Sequence, residues 1–168
     1  MSDDASDKRL YRRVDVVIPF RFVVSDRAEA EAWRAKMGSP SRDADTDAKG
    51  DGPHQALLSR IEHKLDRLLE RIEPDERFEE ILPLSVNLSG AGIRFAADLP
   101  LQPGTILKMM LILPYGAPLR ILAFGEVTRN RKVGRPQGVA YESAVAFLAL
   151  SDKDRESIIR YTFQVQHQ

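Results

Sequence analysis

The chain has 168 residues, 43% hydrophobic and 30% charged, a composition that fits one ordinary domain with an appended element. Lys plus Arg equals Asp plus Glu at 25 each, so bulk charge implies neither duplex nucleic acid nor an acidic membrane surface, and any anion recognition must be local. Cysteine is absent, which excludes disulfides, zinc thiolate sites and thiol nucleophiles and is compatible with a reducing compartment. No apolar run approaches the roughly 18 residues needed to span a bilayer. The start, Met1 to Lys8, is acidic and polar, unlike a secretory signal. The expectation is a cytoplasmic protein without membrane insertion.

Residues 1–7 read as a solvated tail. The cationic stretch Lys8-Arg9-Leu10-Tyr11-Arg12-Arg13 then runs into Val14 to Val24, whose β-branched and aromatic residues predict a strand. Pro19 has no amide to donate, so it must sit at an edge or an irregularity of the ladder. Strand character stops for about fifty residues. A short helix is predicted over 26–37, capped by Ser25 or Asp26 and ended by Gly38. Residues 39–53 are rich in Ser, Asp, Gly, Lys and Pro and read as a flexible linker. Residues 54–73 predict a second helix, opened after Pro53 and stopped by Pro74.

That second helix carries a heptad seam. Leu58, Ile61, Leu65, Leu68 and Ile72 recur at alternating spacings of three and four, and Leu57 and Leu69 widen the stripe. One outcome is a helix laid on its own barrel; the one expected here is self-association, with a stripe wide enough for more than two strands.

After residue 77, strands are predicted at Ile81 to Val86, Gly92 to Ala96, Ile106 to Leu113, Leu119 to Arg129 and Gly138 to Leu148. Turn residues separate them at Pro100, Pro103-Gly104, Pro114 to Gly116 and Gly134 to Pro136. A last helix opens at Ser151-Asp152 with an apolar face. Short strands at this spacing indicate a mainly β fold, a sandwich or small antiparallel barrel, with helices added. The barrel is expected to comprise residues 8–24 and 78–168, with 25–77 as a helical insertion.

Two segments carry chemistry. Arg9-x-x-x-Arg13 stands just before the first strand, where planar guanidinium forks suit phosphate oxygens and can stack on a nucleobase. Asn87-x-Ser89-x-x-Gly92 lies between two strands, offering side-chain amide, hydroxyl and glycine-exposed backbone to a polar ligand edge. Alone, each is ordinary surface or turn chemistry. Together, in this order and each abutting a strand, they resemble the PilZ family, whose pattern is R-x-x-x-R followed by D/N-x-S-x-x-G. The similarity extends to Val145 to Phe147 and Leu150 to Tyr161, which look like the family's last strand and helix.

The resemblance implies a six-stranded antiparallel barrel that binds cyclic di-GMP as ligand, with no cofactor and no catalysis. It implies that Arg9 and Arg13 grip phosphate and guanine, that Asn87, Ser89 and Gly92 form the opposing wall, and that Lys8 and Arg12 add charge. The insertion at 25–77 departs from ordinary members and is similar to an atypical PilZ group whose long helix assembles a tetramer. The expected partners are therefore cyclic di-GMP, further copies of the chain and a downstream protein. The alternative is an oligomeric scaffold of the same fold that does not bind the nucleotide.

An enzyme would need a nucleophile, base or metal site. His54, His63 and His167 have no metal-ligand spacing, and neither a nucleophile elbow nor a P-loop is present. Arg129, Arg131, Lys132 and Arg135 form a basic turn, but the aromatic residues of a single-strand nucleic-acid platform are missing there. No DNA or RNA partner is expected.

Overall fold

In a computed structural model, the structure describes residues 11–38, 57, 58, 60, 61, 64 and 81–167. Six strands and two helices are described over their full length: β1 Val14–Ser25, α1 Arg27–Gly38, β2 Pro83–Ser89, β3 Gly92–Ala97, β4 Ile106–Tyr115, β5 Ala117–Arg135, β6 Gly138–Ala149 and α2 Asp152–Gln166. All strand pairs are antiparallel. Their order, β1-β2-β3-β6-β5-β4, closes on itself as a barrel. Closure gives each strand a hydrogen-bonded neighbour on both sides around the barrel.

β1 makes the closure possible. Its first half, Val14 to Pro19, pairs with β2, and its second half, Phe20 to Ser25, pairs with β4. Pro19 stands opposite Pro83 at the changeover between partners, where the missing amide costs least. The period of two sends Val14, Val16, Ile18 and Phe20 inward while Asp15 and Val17 stay outside. Inside, Phe20 and Phe22 pack on Phe95 with ring centroids 4.9 and 4.8 Å away, and Leu107, Met109, Leu111 and Ile121 are completely buried. α2 presents Ile158 and Tyr161 to the same core. Burial raises the Tyr161 phenol pKa above its ordinary value, keeping the ring neutral against the barrel. Ser151 caps α2, its hydroxyl accepting from Asp154 N.

α1 follows the expected capping: Glu29 N donates to Asp26 Oδ1 at 2.8 Å. It packs Ala30, Trp33 and Met37 over a second, smaller cluster containing Ile106, Phe124 and Ala149. Glu29 also holds Lys108 at 2.9 Å.

Two strand ends differ from those predicted by three residues or more. β2 runs to Ser89, so Asn87 and Ser89 are strand residues, because Leu88 continues the inward alternation of Val86 and the ladder to β1 runs on to Val14. β5 continues to Arg135, so Arg129 to Arg135 form one strand of an arm. Cross-strand pairs support it there, with Arg131 Nη2 at 3.0 Å from Glu142 Oε1. A long heptad helix after β1 is not shown; α1 is the helix that follows. Within 54–73, Leu57, Leu58, Arg60, Ile61 and Lys64 are helical, whereas Leu65, Leu68 and Ile72 lie outside the described residues. A heptad period specifies which residues share a face, not how far the helix extends. Among the described residues, no helix is long and apolar enough to cross a membrane.

Candidate functional site: a small-residue cleft on the barrel wall

Asp15, Asn87, Arg94, Ala144 and Arg129 stand directly opposite one another in turn across β1, β2, β3, β6 and β5. All five belong to the outward-facing alternation, so they form one lateral row on the barrel wall. Along this row the floor is made of small residues, Gly92, Ala144 and Ala146, with Arg13, Asn87, Arg94 and Thr128 standing around it. The result is a cleft of about 140 Å³. A floor of glycine and alanine lets a flat ring approach the sheet, and the taller arginines around it can meet phosphate oxygens.

The two sequence segments therefore meet. Arg13 arrives from the entry to β1, while Asn87 and Gly92 come from the β2–β3 hairpin, and all three line the same cleft. Asn87 Nδ2 donates to Asp15 Oδ1 at 2.9 Å, which fixes the amide at the rim. Ser89 has a different place. It is buried, its hydroxyl accepts from Ala91 N and donates to Gly92 O at 3.3 Å each, and it lies outside the cleft lining. These two bonds shape the turn. Arg12 also lies outside the cleft, donating instead to Gln166 Oε1 at 3.3 Å. Arg9 and Lys8 lie outside the described residues.

Gly92 is required by the sheet itself. A Cβ there would stand 2.2 Å from Val145 O, a backbone atom of the neighbouring strand. Gly92→Ala should consequently destabilise the barrel by about 1–3 kcal/mol, measured by urea unfolding, because backbone has to shift to accept the methyl.

Arg94, Thr128, Ala144 and Ala146 were not identified from sequence. Arg94 carried a readable signal, since it sits between inward Ile93 and Phe95 and must point out. Nothing local marked the other three; β6 and β5 bring them in by pairing. Arg94 Nε lies 3.8 Å from Glu142 Oε2, with both side chains partly exposed. Pairs of this kind contribute about 0–1 kcal/mol, so Arg94 can exchange Glu142 for a ligand phosphate at small cost.

A family model described as the PilZ domain matches residues 66–164, more than half of the chain. The chain belongs to the PilZ family. The matched segment begins after β1, so the arginines preceding that strand are outside it, yet the PilZ barrel here closes only through β1. The inhibitor of motility MotI/DgrA from Bacillus subtilis superposes with a TM-score of 0.54 at 15% identity, covering 95% of this chain and 52% of that one. This chain thus spans about half the length of that protein. A tetrameric PilZ protein from Xanthomonas campestris, described as self-assembled via an unusual helical bundle, superposes with a TM-score of 0.51 at 20% identity, over 93% of this chain and 86% of that one. Both likenesses are of fold. No curated protein matches the sequence.

Proposed function

We propose that this PilZ protein is a non-catalytic cytoplasmic receptor for cyclic di-GMP, and that it binds the ligand on the outer barrel wall. The observation that carries the reading is the convergence of Arg13 with Asn87 and Gly92 on one cleft, although the chain separates them by more than seventy residues. Arg13 and Arg94 offer two guanidinium forks to a ligand with two phosphates, and the alanine-glycine floor accepts a guanine face. Arg9, four residues ahead of Arg13 in the sequence, offers a third guanidinium of the same chemistry. At about 140 Å³ the cleft is smaller than the roughly 300–1,000 Å³ of enclosed ligand sites. Bound ligand therefore remains partly exposed, and its outer face presents a new surface to a downstream protein. Calorimetric titration tests the reading. Saturable binding of cyclic di-GMP is expected, with GMP and linear dinucleotides weaker; absence of heat at millimolar ligand would reject it.

A second reading concerns assembly. Leu57, Leu58 and Ile61 are helical and 55%, 58% and 44% exposed on a single chain, which leaves this apolar face for copies of itself. The fold likeness to a tetrameric PilZ protein supports an oligomer built on residues 54–73. The two readings are compatible, since the cleft and this helix share no residue. An oligomer without nucleotide binding, a scaffold, is what remains if the titration fails.

A further inference from the structure

α2 touches both halves of the cleft, although none of its own residues lines it. Near its C-terminal end, Gln166 Nε2 donates to Arg13 O at 3.2 Å while Gln166 Oε1 accepts from Arg12 Nη1 at 3.3 Å. Near its N-terminal end, Arg155 Nη1 donates to Gly90 O, the carbonyl at the tip of the β2–β3 hairpin. The two anchor points are eleven residues apart, roughly 16 Å along a helix. Between them Ile159 completes the connection: a Cβ on Gly90 would stand 2.9 Å from Ile159 Cγ1 and 3.0 Å from Tyr11 Cδ1. The bare glycine lets the helix and the arginine segment pack on the hairpin together.

We infer that Gln166 and Arg155 are positioning residues that set the spacing of the two cleft walls, with α2 as the rigid brace between them. Gln166 separates the work of two adjacent arginines. It holds the Arg13 segment through the backbone, leaving that guanidinium to line the cleft, and it keeps the Arg12 guanidinium on the helix side. Arg155 fixes the hairpin that carries Asn87 and Gly92. Ile158, Tyr161 and Thr162, on the adjoining face of α2, are buried, so the brace has a fixed base. The inference rests on the cleft being the cyclic di-GMP site. It adds that affinity depends on residues that never touch the ligand.

The test uses the full chain with Gln166→Met, Arg155→Met and Arg155→Lys. Amide hydrogen exchange at Arg12 and Arg13 is read without ligand, affinity is read by calorimetry with cyclic di-GMP, and the thermal midpoint is read alongside. Gln166→Met should speed exchange at Arg12 and Arg13 and weaken binding about threefold to tenfold, the worth of the one neutral hydrogen bond to Arg13 O. Its midpoint should move by less than about 2 °C. Arg155→Met should weaken binding similarly, and Arg155→Lys should restore most of it by keeping a donor for Gly90 O. Unchanged exchange and affinity in Gln166→Met would overturn the brace. So would a loss of affinity matched by faster exchange throughout β3 to β6, which marks general loosening. If the parent protein binds no cyclic di-GMP, the proposed function fails, while exchange at Arg12 and Arg13 still decides whether Gln166 positions that segment.

Discussion

Replacing Arg13 with alanine should weaken cyclic di-GMP binding by at least about tenfold, and adding Arg9→Ala should bring it below detection in a micromolar titration. Hydrogen bonds from a guanidinium to phosphate contribute about 1.5–3 kcal/mol each, and about 1.4 kcal/mol corresponds to a factor of ten. Arg13 is exposed and belongs to no buried cluster, so its removal leaves the barrel fold intact. Circular dichroism and the thermal midpoint of Arg13→Ala should match the parent protein. Arg12→Ala provides the internal contrast, because its guanidinium points to Gln166 and not to the cleft. Its effect should be several-fold smaller than that of Arg13→Ala. Equal losses at the two positions, or tight binding by the double variant, would remove the specific role assigned to Arg13.

The second large effect should come from the helix between α1 and β2. Leu58→Asp combined with Ile61→Asp should convert the oligomer to a monomer, as measured by light scattering at micromolar concentration. Both side chains are exposed on the single chain, and both belong to the heptad seam that continues in sequence through Leu65, Leu68 and Ile72. Burying each Leu or Ile contributes roughly 1.5–3 kcal/mol per chain. An ionised carboxylate at the same place must be desolvated with no partner, which adds a larger penalty. The barrel should remain folded, since neither residue belongs to its core. A monomeric mass for the unmodified protein would end this reading.

Much of the barrel was legible because alternation is a local property. Val14 to Phe20 alternate inward and outward whatever they pair with, and Pro19 announced an interruption before any partner strand was known. The capping of α1 by Asp26 and of α2 by Ser151 was equally local. The motif residues could be named for the same reason, since arginine forks beside a strand and an Asn-x-Ser-x-x-Gly hairpin have chemistry that depends on residue type and spacing alone.

Pairing decided the remainder. Asn87 and Ser89 looked like equivalent wall residues, two apart in a loop. Both stand on the same alternation of β2, but Asn87 lies in the row beside Arg94, while the Ser89 hydroxyl, at the strand end, bonds Ala91 N and Gly92 O. Arg12 and Arg13 are adjacent and chemically alike, yet Gln166, more than 150 residues away in sequence, sends them to different places. Ala144 and Ala146 had no signal at all. They become the cleft floor only because β6 lies between β3 and β5, a neighbour relation set by barrel closure. Which residues carry anion-binding chemistry and which segments favour strands are properties that act over a few bonds. Which of those residues face one another, and which small side chains leave room between them, was decided by strand order and register, which are relations between distant parts of the chain.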